Sequence, residues 1–168
     1  MVPNAMIAEL GYTKDGRESL RCRDNAARHR RFLVIEFDRD GDEYMQPALH
    51  WHLQELAPLV MCVHSGGRSI HGWYYVEPQS DEWQMKFFRY AVTLGADHQI
   101  WWPEQLVRMP NGQRRDEDGT VVAKQKVIYF DPHCIDNQRE LPERFGFYDP
   151  AWLKEAEQKG EDSRGEVR

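Results

Sequence analysis

The stretch LVMCVHSGGRSIHGWYYV, residues 59–76, decides the fold. Leu59–His64 is a short apolar run, SGGRS is a turn sequence, and IHGWYYV is a second run of strand formers, so the segment predicts a β-hairpin. Its turn holds two glycines, two serines and an arginine. That much polarity between two buried strands needs either a tight turn or a ligand to explain it.

Working outward, RFLVIEFD (31–38) predicts a strand that ends at the turn signal RDGD. QPALHWHLQELAPL (46–59) predicts a helix, with Pro47 in its first turn and Leu49, Leu53 and Leu56 at helical spacing. A second helix follows the hairpin: Ser80 is its N-cap, Asp81 and Glu82 suit its positive first turn, Trp83, Phe87, Ala91 and Leu94 form its apolar stripe, and Gly95 ends it. Then come a loop through ADHQIWWPEQ, a short strand LVRM, the polar turn PNGQRRDEDG and a strand TVVAKQKVIYF. The order strand, helix, strand, strand, helix, strand predicts an α+β fold. It is the split β-α-β core of ferredoxin-like and RNA-recognition-like (RRM-like) folds, with an added hairpin. A single domain over residues 1–168 is expected, its core at about 31–132, with a partly helical tail (DPAWLKEAEQK) that frays at its end.

The net charge of −6 excludes a protein that grips duplex nucleic acid by bulk electrostatics, but it leaves room for a local basic groove. Basic residues cluster at Arg21, Arg23, Arg28, Arg30 and Arg31, and again at Arg108, Arg114, Arg115, Lys124 and Lys126. Cys22, Cys62 and Cys134 are odd in number and far apart, which points to packing rather than to disulfides or a zinc knuckle. No apolar run approaches the roughly 20 residues of a membrane helix, and MVPNAMIAEL lacks the pattern of a signal peptide. A cytoplasmic protein without membrane contact is expected.

Glu36 and Asp38 lie two apart at the end of the first strand, so both project to one face while Leu33, Ile35 and Phe37 face the other. A strand end running into solvent accounts for two such acids, and so does a divalent cation. In the split β-α-β topology the first and third strands are central, adjacent and antiparallel, which brings Glu36 and Asp38 beside Ser69 and His71. The turn adds Arg68 and glycine amides, groups suited to phosphate. Carboxylates beside phosphate donors make a nucleotide site; a Gly-Gly hairpin bearing a surface histidine is the plain alternative.

In that order and spacing, VIEFD, then VHSGGRSIHGWYYV, LGAD, QLVRMP and KQKVIYFDP, the chain resembles the archaeo-eukaryotic primase (AEP) superfamily. The likeness is to the primase-polymerases of plasmids, phages and bacterial mobile elements, and it runs from about Arg31 to Pro132. The resemblance implies that Glu36, Asp38 and Asp97 are the catalytic, metal-binding carboxylates. It implies that Ser69 and His71 contact the triphosphate, with Arg68 and the Ser65–Gly67 backbone assisting, and that Arg108 lies near the nucleotide. The family has aspartate in many members where Glu36 stands here, which leaves the metal open between Mg2+ and Mn2+.

The implied activity is that of a DNA primase or primase-polymerase: template-directed, two-metal transfer of a nucleotide from NTP or dNTP to a 3′-hydroxyl. Implied partners are single-stranded template, primer-template and a helicase or other replication module. Trp73, Trp101 and Trp102 are candidate stacking platforms for the template. Two rival functions use the same sequence. A non-catalytic nucleotide or single-strand binding module keeps the fold without turnover. A rolling-circle initiator would use a His-hydrophobe-His pair such as His50 and His52, but within a helix these diverge by about 200° and cannot share one ion.

Overall fold

The computed structural model describes residues 1–13, 15–19, 30–38 and 44–136. Cys22, the arginines at 21, 23 and 28, the RDGD turn and the expected tail helix lie outside the described residues. Two short strands, β1 (Gly11–Tyr12) and β2 (Glu18–Ser19), pair with each other ahead of the main sheet.

The main elements follow in the expected order: β3 (Phe32–Phe37), α1 (Gln46–Leu53), β4 (Leu59–His64), β5 (Ile70–Tyr75) and α2 (Asp81–Thr93). After them come a single 3-10 turn at His98–Trp101, the strands β6 (Gln113–Arg115), β7 (Val121–Lys124) and β8 (Lys126–Phe130), and a second 3-10 turn at Pro132–Ile135. The chain is thus a mixed α and β fold built on antiparallel sheets. As expected, the hairpin β4–β5 forms, and β3 pairs antiparallel with β5 in the register Glu36↔His71.

One face of that sheet carries Leu33, Ile35, Phe37 and Tyr74, all buried, and packs on the helices. Phe87 of α2 meets Tyr74 edge-on at 5.2 Å, and His50 of α1 meets Phe37 at 5.1 Å. The other face presents Val34, Glu36, His71 and Trp73, and the functional residues are sought there. α2 begins as expected, with the Ser80 hydroxyl accepting from the Trp83 amide at 3.2 Å, and Gly95 follows its end at φ +106°.

Three expectations are corrected. The sheet order is β3-β5-β4-β8, so β3 is an outer strand, and the last strand joins β4 rather than β3. The chain leaving α2 reaches the outer edge of β3 but, among the described residues, makes a single bridge there, Phe37↔Ala96, because Asp97 at once caps a 3-10 turn. LVRM is not a strand: Val107 spends its amide on the Met1 carbonyl, and its own carbonyl accepts from the Met1 ammonium, both at 2.8 Å. TVVAKQKVIYF is two strands, broken at the buried Gln125. The Gln125 amide donates to Gly112, and its Oε1 accepts from Met109 at 2.7 Å, so this residue serves the 109–112 loop instead of a ladder.

The apolar stripe of α1 also differs. Its buried side chains are Gln46, His50 and Leu53, the helix stopping at Leu53, ahead of the expected Leu56. Cys62 is buried and Cys134 half-buried, both are free thiols, and burial pushes their pKa values up to about 12 and about 11, as packing residues require. Among the described residues no helix is long and apolar enough to cross a membrane.

Candidate functional site

Strand alternation and the β3–β5 register assemble the site. Glu36 sits opposite His71, and the His71 Nε2 lies 3.3 Å from the Glu36 Oε1 and 3.4 Å from the Ser69 Oγ. The His71 side chain is 3 % exposed and that of Glu36 17 %. Burial by itself would raise the Glu36 carboxyl, but hydrogen bonds from His71 and Ser69 and the charge of Arg108 outweigh it and hold the group below its ordinary range. Glu36 is therefore an anion at neutral pH despite its burial. At the strand end, Arg68 Nε donates to the Asp38 Oδ1 at 2.7 Å, with both side chains close to half exposed.

The SGGRS turn is held from within. Ser65 Oγ accepts from the amides of Gly67 and Ser69, each at 3.2 Å, and the Ser65 amide donates to the Ser69 carbonyl at 2.8 Å. The Gly66 amide turns to the His64 Nδ1 at 3.2 Å. The glycine amides expected to meet phosphate are thus engaged inside the turn, and the buried Ser65 is its internal brace. Gly66 has φ +78°, and a Cβ there would stand 2.8 Å from the Lys124 carbonyl of β7, so only glycine lets the turn lie on the β6–β7 hairpin.

Glu36, Asp38, Ser65, Gly67, Arg68, Ser69, Arg108 and Arg114 line one cleft of about 470 Å³. Six of the eight expected site residues fall in it. His71 does not. It faces a neighbouring cleft of about 420 Å³, shared with Glu36 and Arg108 and walled by Leu106 and Met109. Asp97 stands at the edge of β3, its amide donating to the Glu36 carbonyl at 2.8 Å, but its Oδ1 accepts from Gln99 at 2.9 Å as a helix cap. Among the described residues no group of three or more His, Cys, Asp or Glu side chains is gathered tightly enough to hold a metal ion. Glu36 and Asp38 still fit a hard divalent cation by donor type: two carboxylates on one strand face, the inner one held ionised.

Two residues of the site carried no assigned role in the sequence. Arg114, one member of a basic cluster, reaches the cleft because β6 folds back over the turn, its Nη1 lying 3.6 Å from where a Gly67 Cβ would be. Gln46 is fully buried; its Oε1 accepts from the Ile70 amide at 2.7 Å and its Nε2 donates to the Arg68 carbonyl at 2.8 Å. The signal for Gln46 was its spacing from His50 and Leu53, i, i+4 and i+7 on one helical face.

Several other expectations change. Trp73 is buried in the core, and Trp101 is covered by the Arg30 guanidinium at 4.0 Å and by Phe88 at 5.0 Å, so neither is an open platform. Arg30 and Arg31 are structural here: the first donates to the Trp101 carbonyl at 2.6 Å, and the second pairs with Glu77 at 3.4 Å. His50 and His52 part company as the helical geometry requires, His50 buried against the sheet and His52 outside, 2.6 Å from the Tyr90 hydroxyl. No family model, no curated protein and no solved structure matches the chain.

Proposed function

We propose that the cleft is a metal-dependent nucleotidyl-transfer site and that the protein is a DNA primase or primase-polymerase of the archaeo-eukaryotic type. The single observation that carries this is the β3–β5 register, which sets Glu36, and Asp38 just past the end of β3, beside His71 and the Arg68 and Ser69 that lead into β5. Sheet order adds support: with Ala96 bridged to the outer edge of β3, the positions read Ala96, β3, β5, β4, the order of a split β-α-β (RRM-like) core whose fourth strand has shrunk to one bridge. On this view β8 and the β6–β7 hairpin are the additions.

Glu36 and Asp38 would hold magnesium or manganese, which when bound supplies positive charge at the transferred phosphate and acidifies the attacking 3′-hydroxyl. Arg68, Arg108 and Arg114 neutralise the β- and γ-phosphates of an incoming NTP or dNTP, and the Ser69 hydroxyl, which donates to Glu36 without ligand, would turn its one proton to a phosphate oxygen. His71 keeps Glu36 charged and oriented from beneath. The 3′-hydroxyl loses its proton to water and its oxygen attacks the α-phosphorus, the bond from that phosphorus to the oxygen bridging to the β-phosphate breaks, and pyrophosphate leaves with the electron pair. No side-chain nucleophile takes part. Asp97, bonded through its backbone to β3 and capping Gln99 through Oδ1, would join Glu36 and Asp38 through its second oxygen or by a turn of its side chain.

A primed template with labelled nucleotides and manganese tests the assignment. The intact protein extends the primer, and Glu36→Ala with Asp38→Ala lowers extension by at least ~10³-fold. Extension unchanged by the double substitution removes the proposal.

A further inference from the structure

Gln46 and His50 are buried polar side chains one turn apart on α1 that the chemistry above does not use. Both bond to the backbone that carries the turn. Gln46 holds the Arg68 carbonyl and the Ile70 amide at 2.8 and 2.7 Å, and the His50 Nε2 holds the Ile70 carbonyl at 3.2 Å. A carbonyl only accepts, so the His50 proton is on Nε2, leaving Nδ1 to accept from the Tyr74 hydroxyl at 2.9 Å. The His50 ring lies directly on Gly72, where a Cβ would come within 2.7 Å of the His50 Cε1.

Three backbone atoms on the two sides of Ser69 are therefore fixed by α1, from the face opposite the cleft. An apolar side chain of the same size as Gln46 would fill the space and take this partner from the buried Ile70 amide and the part-buried Arg68 carbonyl. The two Gln46 bonds, with those of Ser65 to the Ser69 amide and carbonyl, restrain the backbone at Ser69 and so the Cα–Cβ bonds from which the Ser69 and Arg68 side chains extend.

We propose that Gln46 is a positioning residue, which sets Arg68 and Ser69 for the phosphates of the substrate, with His50 on Gly72 as its footing. This rests on the nucleotidyl-transfer assignment. Gln46 touches no substrate and acts through ground-state binding, so its loss raises KM and leaves kcat nearly intact.

The test is steady-state extension with dATP by the full chain. Gln46→Met keeps the volume and removes both hydrogen bonds; KM for dATP is expected to rise about tenfold, with kcat within about threefold of the intact protein. Leu53→Ala, a core truncation on the same helix, lowers thermal stability without moving KM. Should Gln46→Met not fold, Gln46→Asn, a methylene too short to span both groups, carries the same expectation. An unchanged KM in the Gln46 variant, or an equal rise in Leu53→Ala, overturns the positioning role. An intact protein without extension, or extension indifferent to Glu36→Ala, instead overturns the nucleotidyl-transfer assignment and the positioning role with it.

Discussion

Gly72 shows how one missing side chain shapes this molecule. It lies in the middle of β5, where glycine is ordinarily a cost, yet the His50 ring occupies the space its Cβ would take. Gly72→Ala is expected to lower stability by ~1–3 kcal/mol, read from the urea midpoint, because the ring is confined on its other sides by Phe37 and Tyr74. Stability equal to that of the intact protein would mean that the ring has room to retreat. Arg68 and Asp38 have the opposite character. Their ion pair is half exposed and adds little to folding.

Among the elements, α1 departs furthest from what its residue spacing predicts. An apolar stripe through Leu49, Leu53 and Leu56 was expected, and the buried face is Gln46, His50 and Leu53. Periodicity located the helix, but polarity concealed its face, since nothing in a helical spacing says that a glutamine and a histidine will find backbone partners under a sheet. The strands were more legible. Leu59–His64 and the start of β5 at Ile70 fall where the hydrophobic runs put them, because each is a continuous run bounded by turn residues. β8 was not, because its break from β7 depends on Gln125 bonding to a loop that only the tertiary fold brings near.

The buried His50 also gives α1 a pH signature. Burial lowers its pKa from the ordinary 6.5 to about 4, so between those values the unfolded chain binds a proton that the folded one refuses. Stability then rises with pH and is lost as pH falls from 6.5 toward 4, with a slope approaching ~1.4 kcal/mol per pH unit for this one group. Glu36, held below its ordinary 4.5, adds its own loss only at more acid pH. Urea unfolding at successive pH values should show the upper slope in the intact protein and not in His50→Gln; the same slope in both would place its origin elsewhere.

At the scale of the whole molecule, a net charge of −6 coexists with a cleft that gathers Arg68, Arg108 and Arg114 around two carboxylates. Three separate segments supply it: β3, the SGGRS turn, and the chain from 106 to 115 that folds back across them. The sequence motifs placed the first two side by side because strand alternation and an antiparallel register are local rules. Arg114 needed the hairpin to fold over the turn, and no local rule predicts that. Asp97 was brought to β3 by its backbone while its carboxylate was claimed by a helix cap, a competition that depends on a single side-chain torsion.

Manganese reports directly on whether Glu36 and Asp38 hold a divalent cation, since its anomalous scattering marks its position. In crystals of the protein grown with manganese and a non-hydrolysable dATP analogue, manganese is expected on the Glu36 and Asp38 carboxylates, with the triphosphate running toward Arg68, Ser69 and Arg114. Manganese bound away from both carboxylates, or a nucleotide seated outside this cleft, would contradict the nucleotidyl-transfer assignment.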